Sequence, residues 1–404
     1  MPSTDTESAR FTSVDWPDRT GFPPRPGART AGLVAALVCL AVLFAYDYRF
    51  HPDDLFVVID WNLTRVDWLL LLSIVLLGRY GVVPLLADRE RAVRHLRDLL
   101  TRPGAAFAVL FLGVFTVTSV VGPDPLFALE YPRLRHRLQP PVYTSVYVGD
   151  QYSHQCVGQL TNGYCHGTWK YPLGTNQYGQ NMLQQLVQGM RVALKLGVVV
   201  GTLMAVVATV VGTAAGYFGG WIDEALMRYV DVQQTLPAIV VYLVLATLYF
   251  GNIQGVSDGG AFVFVLVFGL LDWGGMARLV RSDVLERRSA GYVRAARAAG
   301  ASDLQVIRRH VLPNAIPTVV TALTRRIPLV ILAQVALAYL ELNRVESHSF
   351  GRLLRIGLNA PNMVWHQKWW VTTVAVVALV LTVVSFNLLG DGLRDVLDPR
   401  EEVE

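Results

Sequence analysis

Residues 289–317, SAGYVRAARAAGASDLQVIRRHVLPNAIP, contain the pattern that decides the fold. The first half predicts a short helix to about Ala299, because alanine and arginine are good helix formers. Gly300 stands where a left-handed residue commonly ends a helix. Ser302 and Gln305 have the spacing of a capping box, which predicts a second helix directly after the turn. The stretch therefore predicts two short helices joined by a hinge, with prolines closing the unit.

The first of these helices has a face of small residues. Four residues are predicted to share it: Tyr292, Ala295, Ala296 and Ala299. Such a face leaves nearly bare backbone that another protein could approach closely. Six arginines surround it: Arg287, Arg288, Arg294, Arg297, Arg308 and Arg309. Without further information, the pattern is equally typical of an ordinary cytoplasmic loop between two membrane helices, since positive loops stay inside.

The same stretch resembles the cytoplasmic coupling loop of binding-protein-dependent ABC importer permeases. The family pattern is Glu-Ala-Ala, three residues, Gly, and a spacer that ends in Leu-Pro. The matching positions here are Ala295, Ala296, Gly300, Leu312 and Pro313, while the glutamate position holds Arg294. The flanking residues resemble in particular the second membrane subunit of dipeptide, oligopeptide and nickel transporters. In that family the loop docks into a cleft on the ATP-hydrolysing subunit, which implies a coupling role for these residues and Tyr292.

Composition indicates a membrane protein. The chain has 404 residues, of which 53% are hydrophobic and 16% charged, and its mean hydropathy is +0.39. These values suit several membrane spans better than an ordinary soluble chain. The net charge of +4 does not predict nucleic-acid binding, because the positive residues concentrate in loops without interleaved aromatic residues. The expected environment is the lipid bilayer.

Apolar runs predict an all-α polytopic protein with about eight transmembrane helices. The runs are about 31–46, 68–86, 105–121, 192–218, 236–250, 261–276, 316–340 and 370–389. The last five resemble the core of a type I ABC importer permease, placed after three N-terminal spans. Arginines before the first run and after the second, with aspartates between them, place the N-terminus in the cytoplasm. Eight spans return the C-terminus to the same side of the plasma membrane.

The predicted organisation follows from these runs. It comprises a disordered cytoplasmic tail at 1–30, three spans in 31–121, an extracytoplasmic segment at 122–190, a permease core at 191–395 with its coupling loop at 282–315, and a cytoplasmic tail at 396–404. The resemblance covers about residues 168–400 through several ordered motifs. Relatives usually have one span before the core, so two of the three N-terminal spans are additions.

The extracytoplasmic segment contains a pair of cysteines. Cys156 and Cys165 are nine residues apart on a side where thiols become oxidised, which predicts a disulfide that closes a small loop. A metal site that also uses His154 and His166 is the open alternative. Further along, 171–175 resembles a peptide-permease motif. Its usual charged positions are neutral here: Asn176, Gln180 and Asn181.

The chain lacks the motifs of an ATPase or a hydrolase. It has no G-x-x-x-x-G-K-[ST] phosphate loop and no HExxH motif, so we expect no enzyme activity and no cofactor or metal bound by this chain. The resemblance implies that partner subunits bind ATP and Mg²⁺. It also implies the partners of a complete importer, which are a second homologous permease, two ATP-binding subunits and an extracytoplasmic solute-binding protein.

Three alternatives to a peptide importer remain to be considered. A proton-coupled secondary transporter would need intramembrane ionisable groups; the core offers Arg325 and Arg326, and we expect no carboxylate deep within a span. The same type of importer could carry nickel or another small solute. A non-transporting degenerate paralogue is the third alternative, because Arg294 and Gln334 replace residues that are usually acidic.

Arg325 and Arg326 lie unusually far inside a predicted span. They are nine and ten residues beyond Ile316, which is about 13–15 Å along a helix. Snorkelling, or a span that begins near residue 322, would explain them without a function. Alternatively, one arginine lines the translocation pathway, together with Gln334, and offers its guanidinium to an anionic group. Adjacent helical residues point about 100° apart, so both are not expected to face the same partner.

The predicted topology can be tested by labelling. In intact cells, a membrane-impermeant thiol reagent should reach the cysteine of Asn62→Cys, which lies between the first two spans. It should not reach the cysteine of Ser302→Cys, because residues 277–315 are expected inside. Permeabilised cells provide the control, in which both positions should react. The reverse labelling pattern would contradict the eight-span arrangement.

Overall fold

The computed structural model describes residues 28–50, 63–122, 134–148, 156–250, 259–342, 348–359 and 368–397. The helices are α1 (Ala28–Phe50), α2 (Arg65–Leu77), α3 (Val83–Ala87), α4 (Arg89–Thr101), α5 (Pro103–Val121), α6 (Met182–Phe218), α7 (Gly220–Thr235), α8 (Ala238–Phe250), α9 (Gly259–Leu271), α10 (Gly274–Arg288), α11 (Gly291–Ala298), α12 (Asp303–Val306), α13 (Leu312–Tyr339), α14 (Phe350–Leu358) and α15 (Trp369–Leu397). The strands β1 (Ser145–Tyr147), β2 (Leu160–Thr161) and β3 (Tyr164–His166) form an antiparallel sheet in the order β1–β3–β2. Most of both predicted tails, and also Asn62 and His154, lie outside the described residues.

The helices confirm an all-α polytopic membrane protein. Among the described residues, seven helical segments are long and apolar enough to cross a membrane: Thr30–Arg49, Arg65–Ala87, Pro103–Val121, Met182–Phe218, Gly260–Arg288, Asp303–Tyr339 and Trp369–Leu397. α7 and α8 together meet the same criteria but are bent by 67° between them. The sequence predicted a separate span at 236–250, yet α8 has 13 residues and is only about 20 Å long. An eighth crossing therefore needs both helices of the bent pair.

α6 is the central helix of the bundle and contacts α2, α5, α7, α9, α10 and α13. Two of its glycines, Gly212 and Gly216, lie against the backbone of α10. A Cβ atom at Gly212 would be 2.6 Å from the carbonyl oxygen of Ala277, and one at Gly216 would be 2.8 Å from that of Arg281. Small residues four apart allow two helices in a membrane to pack at backbone distance. This contact fixes the position of α10 against α6, and the loop helices that follow α10 are positioned with it. We call the end of the bundle where α10 finishes the loop end.

At the opposite end, hydrogen bonds replace the charges that the family motif usually has. Asn176 accepts hydrogen bonds from the backbone N–H groups of Tyr178 and Gln180 at 2.9 and 3.0 Å, and its own amide donates to Gln180 Oε1 at 2.7 Å. Asn181 caps α6 by accepting from Leu183 N at 3.0 Å. Trp370 Nε1 donates to Thr175 O at 3.0 Å and ties this turn to α15. These hydrogen bonds therefore order the turn.

The N-terminal spans attach to the core in two different ways. α5 packs between α6 and α15, as a span that belongs to the core bundle does. α2 packs on the outside of α6 and α9, and α1 contacts α2. Val66 of α2 is fully buried, and Lys195 of α6 forms an ion pair with Asp67 of α2 at 2.8 Å. The side chains of Lys195 and Asp67 are only 12% and 19% exposed, so this pair holds α2 against the core from within.

Removing one member of this pair should destabilise the protein more than removing both. Lys195→Met leaves the Asp67 carboxylate buried without its ammonium partner, and we expect a cost of about 3 kcal/mol. Asp67→Asn combined with Lys195→Met removes both charges and should recover most of that loss. Thermal unfolding in detergent, followed by size-exclusion chromatography, measures the difference. A double variant no more stable than Lys195→Met would argue against a buried pair.

Candidate functional site

The stretch 289–311 forms a helix–turn–helix at the loop end. After α11, Gly300 adopts a positive φ of 83°, the left-handed conformation expected there. Ser302 and Gln305 form the predicted capping box, in which Ser302 N donates to Gln305 Oε1 at 3.1 Å. A π-helical turn, Ile307–Val311, then joins α12 to α13. The second helix of the loop and the next span are thus one continuous helix.

Leu312 and Pro313 lie within that helix rather than closing the loop. Pro313 is in the first turn of α13, where the missing N–H and the fixed φ of proline are tolerated. Pro317 lies one turn further along. The prolines were expected to close the unit and begin the next segment; Pro313 does begin α13, but the π-helical turn carries the chain into it without a break.

Buried valines fill the inside of this loop. Val293 of α11, Val306 of α12 and Val311 of the π-helical turn are fully buried. They pack with Val280 and Val284 of α10. We call these five residues the valine cluster. It makes α10, α11 and the start of the long helix a single packed unit at the loop end.

Tyr217, near the end of α6, holds both loop helices. Its side chain is almost fully buried, and its hydroxyl donates to Asp303 Oδ1 of α12 at 2.6 Å. The guanidinium of Arg297 on α11 lies 4.9 Å from the centre of the tyrosine ring, a cation–π contact. Arg288 Nη1 donates to the carbonyl oxygens of Gly216 and Tyr217, both at 3.2 Å. The sequence suggested no role for Tyr217, because its partners lie 80 and 86 residues away.

The outer face of α11 is made of small residues, as expected, but not the predicted set. Ala296 is half-buried and packs against the valine cluster, so it does not belong to the exposed face. Val293 is buried, and Ala296, three residues later, lies on the same side of the helix and therefore also faces inward. The exposed residues other than arginine are Gly291, Tyr292, Ala295, Ala298 and Ala299, and Arg297 is exposed as well. Arg294 is exposed beside them, where the family has glutamate.

Arg325 and Arg326 point to different partners, as the 100° between adjacent helical residues requires. Arg325 lies 3.6 Å from Asp391 of α15, and both side chains are more than half exposed. Arg326 Nη1 donates to Asp272 Oδ1 and Oδ2 at 3.2 and 3.4 Å, with both side chains about one-third exposed. Gln334, which we grouped with these arginines, is 1% exposed and lies inside the bundle.

The Asp272 carboxylate corrects one expectation from the sequence. We expected no carboxylate deep within a span, yet Asp272 lies within the membrane-spanning segment Gly260–Arg288. The apolar run predicted at 261–276 includes this residue, and the Gly-Gly pair that follows it was a further sign of a helix break. The run divides there into α9 and α10.

On the other side of the bundle, Cys156 and Cys165 are joined by a disulfide, with Cα atoms 5.7 Å apart. Cys165 lies in β3, and the loop that the bond closes includes β2. Because both thiols are used in the bond, they are not available to the metal site considered as the alternative. His166 Nε2 lies 2.6 Å from Thr161 Oγ1 across the small sheet.

The chain thus forms a bundle of membrane-spanning helices with a packed, arginine-rich loop on one end. Comparison with known proteins gives its family. Residues 208–403 match the family described as binding-protein-dependent transport system inner membrane component. A putative peptide permease protein of Brucella suis biovar 1 is 32% identical over 237 residues, which are 58% of this chain and 75% of that protein.

Two further relatives carry more specific names. The dipeptide transport system permease protein DppC of Bacillus subtilis is 32% identical over 56% of this chain and 68% of its own length. The oligopeptide transport system permease protein OppC of Escherichia coli is 34% identical over 56% of this chain and 72% of its own length. The chain belongs to the ABC importer permease family, in its dipeptide and oligopeptide branch. The resemblance found in the sequence is thereby confirmed.

The contact between Tyr217 and Asp303 predicts a local effect. Tyr217→Phe keeps the ring beneath Arg297 but removes a buried hydroxyl that donates to a carboxylate. We expect the free energy of opening of α12 to fall by about 1.5 kcal/mol. Hydrogen–deuterium exchange of peptides that cover 301–306 should then be about tenfold faster. Tyr229→Phe, at an exposed position of α7, is the control; equal exchange in the two variants would contradict the assignment.

Proposed function

We propose that this chain forms one half of the translocation pathway of an importer for di- and oligopeptides, driven by ATP hydrolysis in partner subunits. The observation that carries this proposal is the exposed face of α11 on its packed base. Apart from Tyr292, its side chains are no larger than a methyl group, so a partner could approach the backbone closely. The valine cluster and Tyr217 would transmit a force applied there to α6 and α10.

The proposed assembly contains four kinds of subunit. A second homologous permease would complete the pathway, and two ATP-binding subunits would bind ATP and Mg²⁺ and receive the loop ends. A solute-binding protein would deliver the solute to the opposite side, where the disulfide lies. This arrangement places the loop end and both termini in the cytoplasm, consistent with the arginines of the loop. The chain itself would bind neither nucleotide nor metal.

The printed names of the relatives support peptides as the transported solute. Nickel or another small solute is the alternative within the same importer type. A degenerate, non-transporting paralogue is the other, suggested by Arg294 at the position of the family glutamate. Because Arg294 is exposed beside the docking face, it reverses the charge offered to a partner without disturbing the packing of the loop.

A bulky residue on the exposed face should separate ATP hydrolysis from transport. In proteoliposomes that contain the complete importer, we expect wild-type protein to accumulate a labelled tripeptide when ATP is supplied. Ala295→Trp should lower ATP-dependent uptake about tenfold or more, because the side chain fills the space that a docked partner needs. Uptake of the tripeptide and release of phosphate are measured in the same vesicles.

Two further variants distinguish an effect on docking of the partner from an effect on folding of this chain. Thr101→Trp places the same side chain at an exposed site on α4 and should transport normally. Ala296→Trp should lower thermal stability, because Ala296 packs against the valine cluster. Normal uptake by a folded Ala295→Trp complex would refute the docking assignment. A wild-type complex that hydrolyses ATP but imports no peptide would refute the proposed solute and favour one of the alternatives.

A further inference from the structure

Two helix breaks lie next to each other in the bundle. α7 and α8 are bent by 67° after Thr235, and α9 gives way to α10 at Asp272 and Trp273. Gln233, near the end of α7, donates from Nε2 to Leu270 O near the end of α9 at 3.3 Å. The side chain of Gln234 comes so close to α10 that a Cβ at Gly274 would lie 2.8 Å from its Nε2. Broken helices in transporters leave polar backbone groups near the centre of the membrane.

Arg326 reaches this place from the middle of α13. It lies 14 residues after Leu312 and 13 before Tyr339, so it is far from either end of its helix. Its guanidinium lies beside the first turn of α10, where a Cβ at Gly275 would be 2.8 Å from Nη2. Charged groups within a membrane-spanning helix avoid hydrocarbon and face a water-filled cavity or another protein. Arg326 and Asp272 are each about one-third exposed in the single chain. Their exposed side therefore faces either a water-filled cavity or a partner subunit.

The helix ends add electrostatic features of opposite sign. α10 begins without a side-chain cap, so the N–H groups of its first turn remain as donors next to Arg326. A helix N-terminus with a guanidinium beside it is suited to a carboxylate. Asp272 lies just beyond the C-terminus of α9, where the helix dipole favours a cation. Asp272 is therefore suited to an ammonium group.

Gln233 provides a second acceptor for that ammonium. The residue is 3% exposed, and its Nε2 is used in the bond to Leu270 O. Its Oε1 has no hydrogen-bond partner among the residues that the structure describes. Buried acceptors are rarely left unsatisfied. Oε1 lies near α10, since a Cβ at Gly274 would be 3.2 Å from it. An incoming N–H donor would satisfy it.

We propose that Arg326 and Asp272 are the two poles of a binding site for a zwitterionic solute with a free amino group and a free carboxylate. The carboxylate would bind Arg326 and the first turn of α10. The ammonium would bind Asp272 and Gln233 Oε1. In the absence of solute, Arg326 and Asp272 form an ion pair with each other. When solute binds, that ion pair is replaced by one between Arg326 and the solute carboxylate and one between Asp272 and the solute ammonium. This inference rests on the proposed function and defines its solute class.

The site is tested first by uptake. In the complete importer, Arg326→Gln and the double variant Arg326→Gln/Asp272→Asn should each lower tripeptide uptake about tenfold or more, because a charge-assisted hydrogen bond to the solute is lost. ATP hydrolysis stimulated by the binding protein should remain, since the loop is untouched. Arg325→Gln is the matched control, and removing its exposed ion pair with Asp391 should change uptake by less than about twofold.

If the pair only stabilised the fold, the double variant would recover uptake relative to Arg326→Gln, because no unbalanced charge remains. Recovery of uptake in the double variant would therefore overturn the proposal. So would wild-type uptake in Arg326→Gln.

The solute class is tested by equilibrium binding to the assembled importer without its binding protein. Radiolabelled trialanine should bind about tenfold more tightly than either N-acetyl-trialanine or trialanine amide, each of which lacks one charge. Arg326→Gln should erase the difference between trialanine and its amide. Asp272→Asn should erase the difference between trialanine and its N-acetyl form.

Equal binding of the three peptides, or no binding of trialanine, would overturn the zwitterion site. These results differ from failure of the proposed function. A wild-type importer that takes up peptides but binds all three forms equally refutes only this site. A wild-type importer that takes up no peptide refutes the function on which the site depends.

Discussion

Two glycines determine how closely α6 and α10 approach, and that distance places most of the molecule. At Gly212 and Gly216 the backbone carbonyls of α10 occupy the space that a side chain would need. In lipid, where apolar side chains gain little by leaving their solvent, such close van der Waals packing is what associates helices. Once α10 is fixed on α6, Tyr217 lies under the loop, and the valines of α10 can meet those of α11 and α12. The loop is thus held in place by contacts with α6 and α10 of its own chain.

Local sequence was sufficient wherever neighbouring residues decide the conformation. The left-handed Gly300 and the capping box at Ser302 depend only on residues within one turn, and both occur as expected. The membrane-spanning runs were also readable, since hydrophobicity over about 20 residues is a strong signal. Local sequence was insufficient for the bend between α7 and α8. There a short apolar run has the composition of a span but not its length, and the amphipathic helix before it must contribute.

The functional residues likewise divide into those that local sequence predicts and those that distant contacts determine. The small-residue composition of α11 was evident, but its rotation was not, because a single buried contact at Val293 decides which alanines face outward. Tyr217 and Asp272 were missed for a different reason. Each is one polar group in an apolar run, and its partner is 54 or more residues away in sequence. Without the packing of α6, α10 and α13, nothing in the chain connects Asp272 with Arg326. The isolated carboxylate within an apolar run was the available signal.

The continuity of the helix from Asp303 to Tyr339 has a mechanical consequence. Val306, buried in the valine cluster, and Arg326, beside Asp272, are 20 residues apart on the same helical segment, or about 30 Å. The π-helical turn, Pro313 and Pro317 lie between them and favour a bend, but the backbone hydrogen bonding continues, so a tilt at one end is carried along the helix. Movement of the loop can thus reach Arg326 through one continuous helix that packs against α6, rather than through a pathway of successive side-chain contacts.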